Sequence, residues 1–180
     1  MYIFLDTEFT DFINCDLISL GAISEDGQHE FYVEVTDHEV AWQSDFVKGA
    51  IVPLLDNAKY GMTFAEAGVA FKQWFEALPD EKIDFIVDYF GDAMLLSDLL
   101  HEHGRTEKKV LVKILNEEFR GCLHDRGFHT FEQLQAAWRA LLPGIEDYYE
   151  QVDNRRHHAL VDAKANRHGW LKGLASAQRA

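Results

Sequence analysis

Asp6-Thr7-Glu8 stands at the end of a short apolar, β-prone run, Tyr2-Ile3-Phe4-Leu5. Residues two apart on a strand project from the same face. This spacing therefore sends two carboxylates out together from a strand's C-terminal end, the edge where sites form in α/β sheets. Side by side they repel, and a hard divalent cation, which takes oxygen ligands, removes the conflict. A second group is His157-His158-Ala159-Leu160-Val161-Asp162. A helix beginning near His158 or Ala159 places Asp162 in its first turns, where the positive end of the helix dipole favours an anion. His157 sits just ahead, free of helical constraint. The third piece is Asp92, after Gly91 at the start of another helix. Taken singly, each has a plainer reading: a solvated strand end, a surface histidine pair capping a helix, and an aspartate at a favoured helix-start position.

Composition limits what such a set can serve. The chain has 180 residues, 47% hydrophobic and 27% charged, which excludes a disordered chain and fits one domain spanning 1–180. It carries 17 basic and 31 acidic residues, for a net charge of −14. The excess is all in the first half: residues 1–90 hold 4 basic and 18 acidic residues, and residues 91–180 hold 13 of each. Acidity argues against a phosphate-binding surface unless the carboxylates hold cations. Cys15 and Cys122 are too few for a disulfide framework and lack zinc-ligand spacing, so they read as idle thiols. The apolar run before Asp6 is too short for a signal peptide, and none approaches bilayer length, so the expectation is a soluble cytoplasmic chain.

The elements that must position these groups follow from hydrophobic period and turn chemistry. Tyr2–Leu5, Leu17–Ile23 and His29–Val35 read as strands, the last two joined by the turn Glu25-Asp26-Gly27-Gln28, so a three-strand antiparallel meander is expected. Residues 41–59 lack a clear period and read as connecting structure with one short helix. Thr63-Phe64-Ala65-Glu66 is a capping box, opening a helix with Phe64, Ala67, Phe71, Trp74, Phe75 and Leu78 on one face. Ile83–Val87 reads as a strand, and Gly91–Glu102 as a helix closed by Gly104. Val110-Leu111-Val112 fits either strand or helix. Thr130-Phe131-Glu132-Gln133 is a second capping box, with Phe131, Leu134, Trp138 and Leu141 as a stripe and Pro143-Gly144 as its stop. A last helix runs from about Ala159 to Ala175. This order predicts an α/β fold, a mixed sheet with helices on both faces.

The order Asp-x-Glu, Asp, His-x-x-x-x-Asp resembles the DEDDh group of 3′–5′ exonucleases, which includes proofreading exonucleases, oligoribonuclease and RNase T. The opening "FLDTEFT…DLISLGAISEDG" is most similar to the small mycobacterial-type exoribonuclease branch, and "HHALVDAKAN" resembles the third exonuclease motif. The resemblance spans residues 3–30, 83–100 and 155–175. It implies a ribonuclease H-like fold, with Asp6, Glu8, Asp92 and Asp162 as the acids that hold two divalent cations, Mg²⁺ or Mn²⁺. Asp6 would bridge the two, and Asp92 would act through a water. Asp88, at the end of the same strand, competes with Asp92; the apolar "AMLL" run after Asp92 matches the family. His157 is implied as the general base, selected by the four intervening residues before Asp162. His158, at helical i, i+4 spacing, competes as a metal ligand stacked over Asp162.

The implied reaction is hydrolysis of single-stranded nucleic acid from its 3′ end, RNA and/or DNA with RNA favoured, releasing nucleoside 5′-monophosphates. Arg155, Arg156, Lys164 and Arg167 gather near the third motif and are candidates for phosphate contacts. Phe9 and Phe12 flank the first motif and are candidates for stacking on terminal bases. Two alternatives carry different chemistry: a catalytically silent exonuclease-like module docking on a polymerase or other partner, and a phosphohydrolase of free nucleotides. Family analogy alone implies a homodimer, and no membrane partner is expected. The stretch 108–154 is not what compact relatives would have, and is read as a substrate-facing helix or a dimer surface.

Overall fold

The computed structural model describes residues 1–101 and 108–180. Strand β1 (Tyr2–Phe9) runs antiparallel to β2 (Leu17–Ser24), which runs antiparallel to β3 (Glu30–Val35). This is the expected meander. After a series of short helical turns, the last of them α1 (Asn57–Tyr60), the two-residue strand β4 (Gly61–Met62) adds in parallel to β3. Helix α2 (Phe64–Ala77) then crosses to β5 (Lys82–Val87), parallel to β1, and α3 (Phe90–His101) follows. The sheet closes with β6 (Lys109–Ile114), parallel to β5, giving the order β4-β3-β2-β1-β5-β6. Helices α4 (Leu115–Asp125), α5 (Phe131–Gln151) and α6 (Ala159–Arg179) complete the chain. No helix among the described residues is long and apolar enough to cross a membrane.

Alternation along β1 explains the layers. Ile3 and Leu5 face a core shared with α2 and α3, where Phe71, Phe75 and Phe85 are fully buried. Phe4 faces a second core with α4, α5 and α6. The α/β mixed sheet therefore carries helices on both faces, and β2, covered on both sides, is buried at all eight positions. Trp170 anchors α6 to the second core. Its ring lies edge-on to Tyr2 and Phe4 at 5.3 and 5.4 Å, and its Nε1–H donates to Glu25 at 3.0 Å.

Several expectations are corrected. Pro143-Gly144 does not stop α5, which continues through Pro143 to Gln151. The close packing of α5 on α6 overrides proline's missing donor: a Cβ on Gly144 would lie 2.9 Å from the Gly169 Cα, and one on Gly169 would lie 2.5 Å from the Leu141 carbonyl. Phe131, expected in the buried stripe, is 72% exposed; the buried line is Ala137, Leu141 and Gly144. The segment 108–154 supplies β6, α4 and α5, so much of it is core. Of the two readings of Val110–Val112, strand or helix, the structure shows the strand. Residues 41–59 contain several short helical turns where one was expected. The last helix extends to Arg179. The expected helix stop at Gly104 lies outside the described residues.

Candidate metal centre

Asp6 and Glu8 lie near the C-terminal end of β1 on the face that meets α6, both nearly buried. What brings α6 to them is Gly21, which pairs with Asp6 across β1 and β2. A Cβ on Gly21 would sit 2.2 Å from the Leu160 amide nitrogen and 2.3 Å from its Cα. Only glycine leaves room for the helix start at this point, and the contact sets the first turn of α6, with Asp162, beside β1. On the other side, β5 ends at Val87, and the turn to α3 carries both Asp88 and Asp92 to the same strand ends.

Two neighbouring groups result, linked by the charges of Asp162 and Glu8 acting on Asp6. Glu8, His157 and Asp162 each offer a ligand atom within 4.8 Å of the others, and so do Asp6, Asp88 and Asp92. All five residues implied by the resemblance are thus brought together, and Asp88 joins them. Asp88 is exposed and Asp92 is 2% exposed, and each offers a ligand atom within 4.8 Å of Asp6. His158 does not stack over Asp162. It is buried and lies flat on the Tyr32 ring, with centroids 4.5 Å apart.

The carboxylates are held in a state that demands neutralisation. Burial, followed by Asp162, Asp92 and Asp88, pushes Glu8 up to about 8. Burial and then Asp92, Asp162, Asp88 and Glu8 hold Asp6 well above the usual carboxylate range. Asp92 is pushed up to about 7 by burial, against the Thr7 hydroxyl and amide, which donate to its Oδ1 at 2.6 and 3.2 Å. Burial also raises Asp162 to about 6, against donation from the Tyr149 hydroxyl at 2.9 Å and the His157 amide at 3.0 Å. Asp92 Oδ2 is buried and without a hydrogen-bond partner among the described residues. A clustered set of hard oxygen donors with an unpartnered buried oxygen fits divalent cations such as Mg²⁺ or Mn²⁺.

His157 is strained into place. It is the one non-glycine residue with positive φ among those described, at 64°, a conformation costing about 1–3 kcal/mol that persists only where the surroundings over-determine it. Here its amide is bound to Asp162 and its ring lies edge-on to Phe46 at 4.9 Å. Burial, then the Arg156 charge, lower its pKa, so the imidazole is neutral and able to accept a proton near pH 7.

The expected substrate residues divide. Phe9, Phe12 and Tyr89 form one aromatic cluster, with centroids 5.3 to 6.2 Å apart, and Phe12 is 78% exposed. Arg156 lies over the Tyr149 ring at 3.9 Å and pairs with Glu146. Arg155 pairs with Asp153 at 2.6 Å, Lys164 with Glu30 at 2.7 Å, and Arg167 donates to the carbonyls of Ser24 and Glu25. Arg167 is thus turned toward the β2–β3 turn. Sequence reasoning missed Thr7, Gly21, Phe46 and Tyr149. Thr7 and Gly21 lie within the motif-bearing strands, but nothing in the sequence marks Tyr149. No protein-family model matches the chain, and no curated protein matches it.

Proposed function

We propose that the chain is a metal-dependent 3′–5′ exonuclease of the DEDDh type on a ribonuclease H-like fold, hydrolysing single-stranded 3′ ends to nucleoside 5′-monophosphates. The observation that carries this reading is the convergence of Asp6, Glu8, Asp88, Asp92 and Asp162, from three separate parts of the chain, with His157 beside them. The mixed sheet with helices on both faces is compatible with such a fold.

Asp6, Glu8, Asp92 and Asp162 would hold two divalent cations, with Asp88 an additional donor beside Asp6 and Asp92. When bound, the cations supply charge neutralisation at the phosphate and a water of lowered pKa. His157 takes the proton of the attacking water at a ring nitrogen, a role its lowered pKa suits. Asp162 fixes the backbone of that base through the His157 amide. Thr7 holds Asp92 Oδ1 and leaves Oδ2 for a cation, while at Asp162 Tyr149 and the His157 amide each take one acceptor site of an oxygen, and the second site of each oxygen remains for a cation.

A phosphohydrolase of free nucleotides is the second reading. It is favoured by the ion pairing of Arg155, Arg156 and Lys164, which leaves less positive charge for a nucleic-acid track. Matched RNA and DNA oligomers labelled at the 3′ end, with and without Mn²⁺, separate the readings. Mononucleotide release from an oligomer supports the exonuclease. Turnover of free nucleotides alone supports the second reading, and turnover of neither substrate sinks both.

A further inference from the structure

Glu8, Ser19 and Glu34 occupy one row across the sheet: Glu8 pairs with Ser19 between β1 and β2, and Ser19 with Glu34 between β2 and β3. The row runs from the metal centre to a carboxylate that the chemistry above does not use. Glu34 is 1% exposed. Its Oε1 accepts from the Tyr32 hydroxyl and from the Asp56 amide, both at 2.9 Å. Its Oε2 is buried and unpartnered among the described residues, and so are Ser19 Oγ and His158 Nδ1. His158 opens α6 but caps nothing with its side chain; it lies on the Tyr32 ring, tilted by only 18°. Tyr32 thus joins Glu34 to the residue that immediately follows the strained His157.

We propose that Glu34 is a positioning residue: it holds the Tyr32 hydroxyl, the Tyr32 ring backs His158, and the line Glu34–Tyr32–His158 so keeps His157 in its left-handed conformation beside Glu8 and Asp162. The inference rests on the exonuclease reading for its kinetic consequence, but the anchor itself does not. Fixing His158 removes a rotational freedom that His157 would otherwise use to relax its backbone. The device is remote from the substrate, so its loss acts on turnover, not on substrate affinity.

The test is Glu34→Ala in the full chain, read in two ways. The ¹⁵N signals of the His158 ring should shift from wild type, reporting a displaced Tyr32 ring against it. At a temperature well below unfolding, kcat on an oligomer should fall by about tenfold, the lower end for an outer-shell partner, with KM within about twofold. Glu34→Gln, which keeps an acceptor for Tyr32 and Asp56, should restore most of the rate. Unchanged His158 signals, or wild-type kcat in Glu34→Ala, would overturn the proposal. Should Glu34→Ala not fold, Tyr32→Phe carries the test: it keeps the stacked ring and drops only the hydroxyl, and a wild-type rate together with wild-type His158 signals overturns the anchor. If the wild-type protein itself cleaves nothing, the exonuclease reading has failed, and the ring signals alone decide on the anchor.

Discussion

The backbone N–H of His157 donates to Asp162 Oδ2 at 3.0 Å, while the Tyr149 hydroxyl donates to Oδ1 of the same carboxylate at 2.9 Å. One acid therefore fixes the residue proposed as the base and is itself fixed by α5. The proposed base and the candidate cation site are thus coupled through a single side chain, and α5 takes part in that candidate site although the motifs do not reach it.

Asp6→Ala should abolish oligomer cleavage without unfolding the protein. Asp6 is the acid most burdened by its neighbours, with four other carboxylates raising its pKa after burial. Its removal relieves repulsion in the absence of metal, so the metal-free melting temperature should equal or exceed that of wild type. Calorimetry in a chelator beside a cleavage assay checks both. Retained cleavage would place the cations elsewhere.

His157→Ala should lower the rate by roughly 10²–10⁴-fold, the range for loss of a general base. His158→Ala should cost far less, about tenfold, through loss of position. Equal rates for the two variants would refute the assignment of His157.

Tyr149→Phe removes one hydroxyl from Asp162 and leaves the ring under Arg156. Outer-shell partners of metal ligands are worth about 10–100-fold in affinity or activity. Mn²⁺ affinity measured by calorimetric titration should fall by that order, with the metal-free fold intact. Unchanged affinity would remove Tyr149 from the site.

In a chelator, stability should fall as pH rises. Glu8, Asp92 and Asp162 sit at about 8, 7 and 6 in the folded protein, all above ordinary carboxylates. Between about pH 4 and 8 the folded state thus holds protons that the unfolded chain has released, so stability decreases with pH across that window. Their favourable contribution is complete below the unfolded values and gone above the folded ones. Bound cations replace those protons, so the gain in melting temperature on adding Mg²⁺ should be larger at pH 8 than at pH 6. A metal-free melting temperature that climbs from pH 5 to 8 would contradict the burial of these acids.

The central acids were legible because strand period is simple. Two residues apart on β1 means one face, and Asp6 and Glu8 obey it. Both capping boxes were legible for the same reason: Thr63 with Glu66, and Thr130 with Gln133, bond within four residues. Pro143 misled because its cost is local while the packing of Gly144 on Gly169 is not. Tyr149 was invisible because its value lies in a bond to a different helix. The left-handed backbone of His157 was hidden too, since it is imposed by Asp162 and the start of α6, not by histidine's own preference. Asp88 and Asp92 looked like rivals because sequence order cannot show that the turn between β5 and α3 brings both to Asp6.

Anomalous diffraction from crystals soaked in Mn²⁺ tests the account most directly. Two peaks are predicted, roughly 3.5–4 Å apart as in two-metal sites, one bounded by Asp6, Asp88 and Asp92 and the other by Glu8 and Asp162. Peaks elsewhere on the surface, or none at these carboxylates, would contradict it.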